Sequence, residues 1–162
     1  MKLITVRDKL AFVDTKNDYS YSELIAQCGA WGDALTKKEV KRVLILSENR
    51  VEYIFALYGS WLAGAEVIPV DAMATPEEIA YIISDAQPDT IITSKTLKSQ
   101  SEKAVVIASA TTHILLLDDA PPPSQKPLET VLIDTPKKSP ALSIQAAQLA
   151  HQKGLCSRFP TS

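Results

Sequence analysis

RVLILSENRVEYIFALYGSWLAGAEVIPV, residues 42–70, decides how the chain is read. It opens on Arg42-Val43-Leu44-Ile45-Leu46, a continuous apolar run bounded by polar residues. Such a run suits a strand buried on both faces of a parallel sheet. Ser47, Glu48 and Asn49 make a turn. Val51, Ile54, Phe55, Tyr58, Trp61 and Leu62 then repeat at three and four, the helix period. Gly64 stands where a left-handed helix end is wanted. Glu66-Val67-Ile68-Pro69-Val70 returns as a second strand. Strand, helix and strand within 29 residues make one βαβ unit.

The same alternation extends outward. Upstream, residues 9–14 suit a short strand and residues 14–19 a polar turn. Ser20 stands three residues before Glu23, a capping-box pattern. Leu24, Cys28, Trp31 and Leu35 follow at helical spacing, so a helix is expected over residues 21–36, with lysines at its end. Downstream, Thr75 caps a further helix with Pro76 in its first turn and Glu77 and Glu78 behind it. Ile79, Ile82 and Ile83 form its apolar face. Thr90-Ile91-Ile92-Thr93 is a third buried run. Beyond Ser94 the signal thins: a helix over residues 101–110, a strand over 113–117, a Pro-rich loop over 118–127 and a fifth strand over 130–134. The pattern implies a three-layer α/β fold, with a mostly parallel sheet and helices on both faces.

Composition bounds the rest. The chain has 162 residues, 46% hydrophobic, with a net charge of −2. That near-balance argues against nucleic-acid binding and against attraction to acidic membranes. No run approaches the length of a membrane span, and the first 14 residues hold no signal-peptide core. Cys28 and Cys156 form neither a metal spacing nor a disulfide framework, so a cytoplasmic location is the expectation. Nine of the ten aromatics lie at or before Tyr81, and seven of the ten prolines from Pro121 onward. A dense front is followed by a looser back.

Catalytic signals are sparse. The five glycines are Gly29, Gly32, Gly59, Gly64 and Gly154. None belongs to a glycine-rich turn that follows a strand and opens a helix, so neither dinucleotide nor Walker signature is present. An open α/β sheet takes its ligands at the carboxyl edge, where Ser47, Glu48, Asn49, Asp71 and Ser94 are the candidates. Ordinary turn chemistry explains the same residues. His113 heads an apolar strand with no evident partner. Cys28 sits on an apolar helix face without a basic neighbour, as a core thiol would. Trp31, Tyr58 and Trp61 share helical spacing with aliphatic residues and suit packing. On these residues alone, catalytic, cofactor-binding and metal sites are each assigned as none.

Residues 41–94 resemble the N-terminal region of adenylate-forming enzymes, the AMP-binding acyl-CoA synthetase and ligase family. The ENRVEYIFALYGSWLAGA stretch is the specific part, and YSYSELIAQCGAWGDAL upstream is similar to the family's opening helix. The resemblance covers residues 19–94, with a weaker match on to 134. It implies a partial N-terminal ligase domain over residues 1–134. For the full-length family it implies ATP and Mg, a small carboxylate substrate of fatty-acyl type, and CoA or a carrier-protein thiol as acceptor. It also implies a glycine-rich phosphate loop, YTSGTTGxPKG, whose backbone amides wrap phosphates and whose lysine and hydroxyls counter their charge.

The chain reads SIQAAQLAHQKGLC at residues 143–156, where that loop is due. The genetic code permits the loop one frame away. Each hidden codon joins the last base of one codon to the first two of the next. Ser143 ending in T gives TAT across Ile144, which is tyrosine. Ile144 as ATA gives ACA across Gln145, which is threonine. The following joins spell S-G-T-T-G, then serine, proline, lysine and glycine, and Leu155 with Cys156 gives ATG, methionine. Each pair of residues allows only a handful of hidden ones. The expectation is therefore an out-of-frame tail over residues 135–162, disordered or weakly structured, after a net loss of one nucleotide near codons 142–144. The chain is then an inactive portion of a ligase, prone to aggregation or complemented by a downstream polypeptide. A small non-catalytic α/β binding or interaction module is the alternative.

Overall fold

The computed structural model describes residues 9–14 and 17–123. The fifth strand expected over residues 130–134, the tail over 135–162 and Cys156 lie outside the described residues. Six strands and four helices follow in the order β1 (Leu10–Val13), β2 (Asp18–Ser20), α1 (Tyr21–Lys37), β3 (Arg42–Leu46), α2 (Val51–Leu62), β4 (Glu66–Val70), α3 (Pro76–Ala86), β5 (Thr90–Thr93), α4 (Lys98–Ala108) and β6 (His113–Leu116). A single 3-10 turn, Leu117–Asp119, closes the described region.

The four C-terminal strands form a parallel sheet in the order β4-β3-β5-β6. Side chains alternate across it. Val43, Ile45 and Ile92 face one core with α1 and α2, around Trp31, Leu35 and Phe55. Leu44, Leu46 and Ile91 face another core, around Ile79, Ile83 and Ala104 of α3 and α4. Val43, Leu44, Ile45 and Leu46 are completely buried. That explains the unbroken apolar run, since neither face of β3 meets water.

Both expected capping boxes are present. The Ser20 hydroxyl accepts from the Glu23 amide, and the Glu23 carboxylate accepts from the Ser20 amide. Thr75 and Glu78 repeat the arrangement at α3. The structure adjusts the expectations at three places. Residues 18 and 19, expected as turn, join the N-cap Ser20 in β2 and pair antiparallel with β1. Tyr19 of β2 then meets Phe55 of α2 edge-on at 5.4 Å, docking this hairpin on the α1/α2 layer. Helix α4 begins at Lys98, three residues earlier than expected, and strand β6 ends at Leu116.

Helices α1 and α2 cross closely. A β-carbon on Gly59 would stand 2.3 Å from the Trp31 β-carbon and 2.8 Å from the Cys28 carbonyl oxygen. Each helix-to-strand link at the amino edge contains one left-handed residue: Glu39 before β3, Gly64 before β4, Gln87 before β5 and Ser109 before β6. Asp89 clamps the same edge, its Oδ2 accepting from the amides of Lys41 and Arg42, each at 2.8 Å.

Candidate functional site at the carboxyl edge

Chain order and strand order diverge at one place. From β3 the chain moves outward to β4; after α3 it returns to β5 on the other side of β3 and moves outward again to β6. Helix α2 leaves β3 on one face, and α4 leaves β5 on the opposite face. The crevice between the carboxyl ends of β3 and β5 is thus a topological switch point, the usual ligand position in an open α/β sheet.

Register places the sequence candidates there. Leu46 pairs with Val70 on one side and Thr93 on the other, so Ser47, Asp71 and Ser94 leave the sheet side by side. Ser47, Glu48 and Ser94 meet at the switch point. Asp71 lies beyond β3 at the end of β4, and Asn49 is exposed.

These groups are engaged with one another. The Glu48 carboxylate hydrogen-bonds with the Ser94 and Thr96 side chains. Burial works against its charge, but its own backbone amide, those two hydroxyls and nearby Arg50 outweigh it and hold the carboxyl below its usual range. The Ser47 hydroxyl donates to the Glu48 carbonyl at 3.0 Å. The Ser94 hydroxyl, fully buried, accepts from the Leu97 amide at 3.3 Å and so starts α4. Asp71 accepts from the Met73 amide at 2.9 Å, an ordinary Asx turn.

A second set of residues, absent from the sequence candidates, ties the same edge together. Arg50 donates from Nε to Glu52 at 2.8 Å and from Nη1 to Asp118 at 3.1 Å. Asp118 also accepts from the Lys95 amide at 2.8 Å, and Lys95 Nζ reaches Asp119 at 3.1 Å. The Lys95 amide is the main reason that the Asp118 carboxyl is held low, with Arg50 adding to it against burial. Three loops, after β3, β5 and β6, are therefore laced across the switch point. Arg50 and Asp118 are 68 residues apart, and no local pattern announces their contact.

Chemically the arrangement holds loops in place. Among the described residues no group of three or more His, Cys, Asp or Glu is placed to hold a metal ion. The Glu48 and Asp118 carboxylates and the Ser47 and Ser94 hydroxyls are engaged with neighbouring backbone groups, hydroxyls and Arg50, whereas the buried Thr93 hydroxyl at the end of β5 has no partner. No glycine there opens the backbone to a triphosphate. Burial pushes the Cys28 thiol up to about 12, which suits a packing residue in the α1/α2 core. His113 is exposed, and its backbone amide donates to the Asp89 carbonyl at 3.2 Å.

Comparison with known proteins gives this fold its relatives. The chain is 30% identical over 97 residues to vanchrobactin synthetase VabF of Vibrio anguillarum, which covers 58% of this chain and 3% of that protein. It is 26% identical over 99 residues to the mitochondrial malonate–CoA ligase ACSF3 of Homo sapiens, covering 54% of this chain and 17% of that protein. The Vibrio cholerae adenylation domain AlmE, solved with glycyl-adenosine-5'-phosphate, shares the fold with a TM-score of 0.69 at 20% identity, over 82% of this chain and 28% of that one. The chain thus spans a small part of each relative. The family described as AMP-binding enzyme matches residues 5–152, which take in every described element. With its parallel sheet, its switch point and its layered helices, the chain belongs to the AMP-binding enzyme family.

Proposed function

We propose that this chain is the N-terminal portion of an ATP-dependent, carboxylate-activating ligase. The full enzyme forms an acyl-adenylate and pyrophosphate, then passes the acyl group to a thiol of CoA or a carrier protein. Its carboxylate is fatty-acyl-like, and it acts in the cytoplasm. The phosphate loop is encoded one frame away from residues 143–156, the residues from 135 onward are tail, and the 162-residue chain is inactive alone. Malonate–CoA ligase among the relatives supports carboxylate activation.

One observation supports the inactivity. The loops at the switch point between β3 and β5 are joined to one another by this chain's own side chains, from Glu48 to Ser94 and from Arg50 to Asp118. In this reading phosphate binding comes from the hidden frame, which supplies the glycines that the translated one lacks.

The test is ATP–pyrophosphate exchange with a panel of fatty acids, amino acids and short dicarboxylates. The 162-residue chain is expected to be silent. The chain with one base restored before codon 144 is expected to turn over with fatty acids. Exchange by the 162-residue chain overturns the inactivity. A restored chain that selects malonate or an amino acid overturns the fatty-acyl assignment. An Ile144 codon other than ATA overturns the hidden loop.

A further inference from the structure

Thr93 ends β5 and is completely buried. It pairs with Leu46 on one side and Leu116 on the other, and it shares the α3/α4 face of the sheet with Leu46 and Ile91. Its hydroxyl has no hydrogen-bond partner. Other buried hydroxyls find one: Ser60 donates to the Ala56 carbonyl at 2.7 Å, and Ser101 to the Leu97 carbonyl at 3.2 Å. An unpaired buried hydroxyl favours any arrangement in which water reaches it, by roughly 5- to 150-fold in an equilibrium constant. Water is close along the chain. Ser94 is buried, but Lys95 and Thr96 are exposed. Residues 94–97, which lead from β5 into α4, are held chiefly by polar contacts. Glu48 bonds the Ser94 and Thr96 side chains, the Lys95 amide donates to Asp118, and the Leu97 amide donates to Ser94. Leu97 is the one apolar residue of the four and is only partly buried. Segments with few apolar contacts and many solvent-accessible hydrogen bonds open locally while the fold stays intact.

We propose that residues 94–97 form a gate at the switch point, and that the unpaired Thr93 hydroxyl biases this gate toward opening. Closed, the gate leaves Thr93 without a partner. Open, it lets water or a hydrogen-bonding group of a ligand reach Thr93, and it frees Ser94 and Glu48 beside it. These groups stand at the carboxyl ends of β3 and β5, where an open α/β sheet takes its ligands. The lace of Arg50, Asp118 and Lys95 is then the fastening, and Thr93 is what works against it. The gate belongs to the fold and stands whether or not the complete polypeptide is a ligase.

Amide hydrogen exchange of the 162-residue chain, followed residue by residue by nuclear magnetic resonance, tests the gate. Thr93→Val keeps the shape of the side chain and removes the hydroxyl. Exchange at the Lys95 and Leu97 amides is expected to slow about fivefold or more, because valine gains nothing from opening. Amides of the β1/β2 hairpin are expected to keep their rates, since fraying there leaves Thr93 buried. Circular dichroism melts establish that the variant is folded. If it is not, Thr93→Ser set against Thr93→Ala isolates the hydroxyl in the same measurement, with the alanine variant expected to exchange more slowly. Unchanged exchange at Lys95 and Leu97 overturns the gate. Slowing by the same factor in the hairpin reports unfolding of the whole chain and overturns it too. Faster exchange with a lowered melting temperature shows a hydroxyl already satisfied by bound water, and overturns the bias.

Discussion

Gly59→Ala is the sharpest perturbation of this fold. The added methyl would stand 2.3 Å from the Trp31 β-carbon, 2.8 Å from the Cys28 carbonyl oxygen and 3.1 Å from the Gly32 amide nitrogen. Carbon atoms in contact sit about 3.5–4.0 Å apart. The obstacles are main chain and a β-carbon, so no rotamer change relieves them, and α1 and α2 must separate by more than an ångström. Trp31 and Cys28 are 2% and 0% exposed, so the separation opens the core itself. Overpacking of this kind costs about 1–3 kcal/mol, and rigid obstacles put this site at the upper end. Alanine returns up to about 1 kcal/mol in helix propensity. The net expectation is a loss of about 2 kcal/mol, a large share of the roughly 5–15 kcal/mol that holds a domain together. Urea melts followed by far-ultraviolet circular dichroism measure it. Gly64→Ala is the control: its backbone is left-handed at φ 75° but nothing lies within 4 Å, so only about 1 kcal/mol of strain is expected. A Gly59→Ala variant as stable as the parent would refute the close crossing of the two helices.

Two further outcomes come from the electrostatics. Burial pushes the Cys28 thiol up to about 12, so at pH 8 it should resist iodoacetamide in the folded chain and react as urea unfolds it; rapid modification of the native protein at Cys28 contradicts the packing. Glu48 and Asp118 are held below their ordinary values of 4.5 and 3.8. Groups lowered in this way add stability that is complete above the unfolded-state value and lost as pH falls through the folded one. Asp118→Asn should therefore cost about 0.5–1 kcal/mol near pH 7, given how exposed the pair is, and the difference from parent should vanish toward pH 2. A difference that persists undiminished at pH 2 would locate the effect elsewhere.

The sequence makes legible what neighbours along the chain decide. Strands β3, β4 and β5 were legible to the residue because apolar runs there end abruptly at charged or polar residues. Ser20 with Glu23 and Thr75 with Glu78 announced two helix starts, since a capping box is a contact across three positions. The start of helix α4 is not legible, because Leu97 precedes it without a side-chain cap and the Ser94 hydroxyl that opens it lies outside the helix. The polar strand Asp18–Ser20 depends on β1 for its identity. At the candidate site, Ser47, Glu48 and Ser94 could be placed on the edge, but their mutual engagement could not. The closing contact of Arg50 with Asp118 joins loops that only the completed sheet brings together.

The left-handed links along the amino edge bear on how this fold tolerates change. Glu39, Gln87 and Ser109 hold with side chains a backbone shape that Gly64 reaches freely, each at a cost of about 1–2 kcal/mol. Together they withhold several kcal/mol from a domain whose whole margin is of that order. Such a domain has room for improvement at its amino edge, by glycine at any of the three. As it stands it is a lightly built part, and anything that binds only its folded form would add to its margin by mass action.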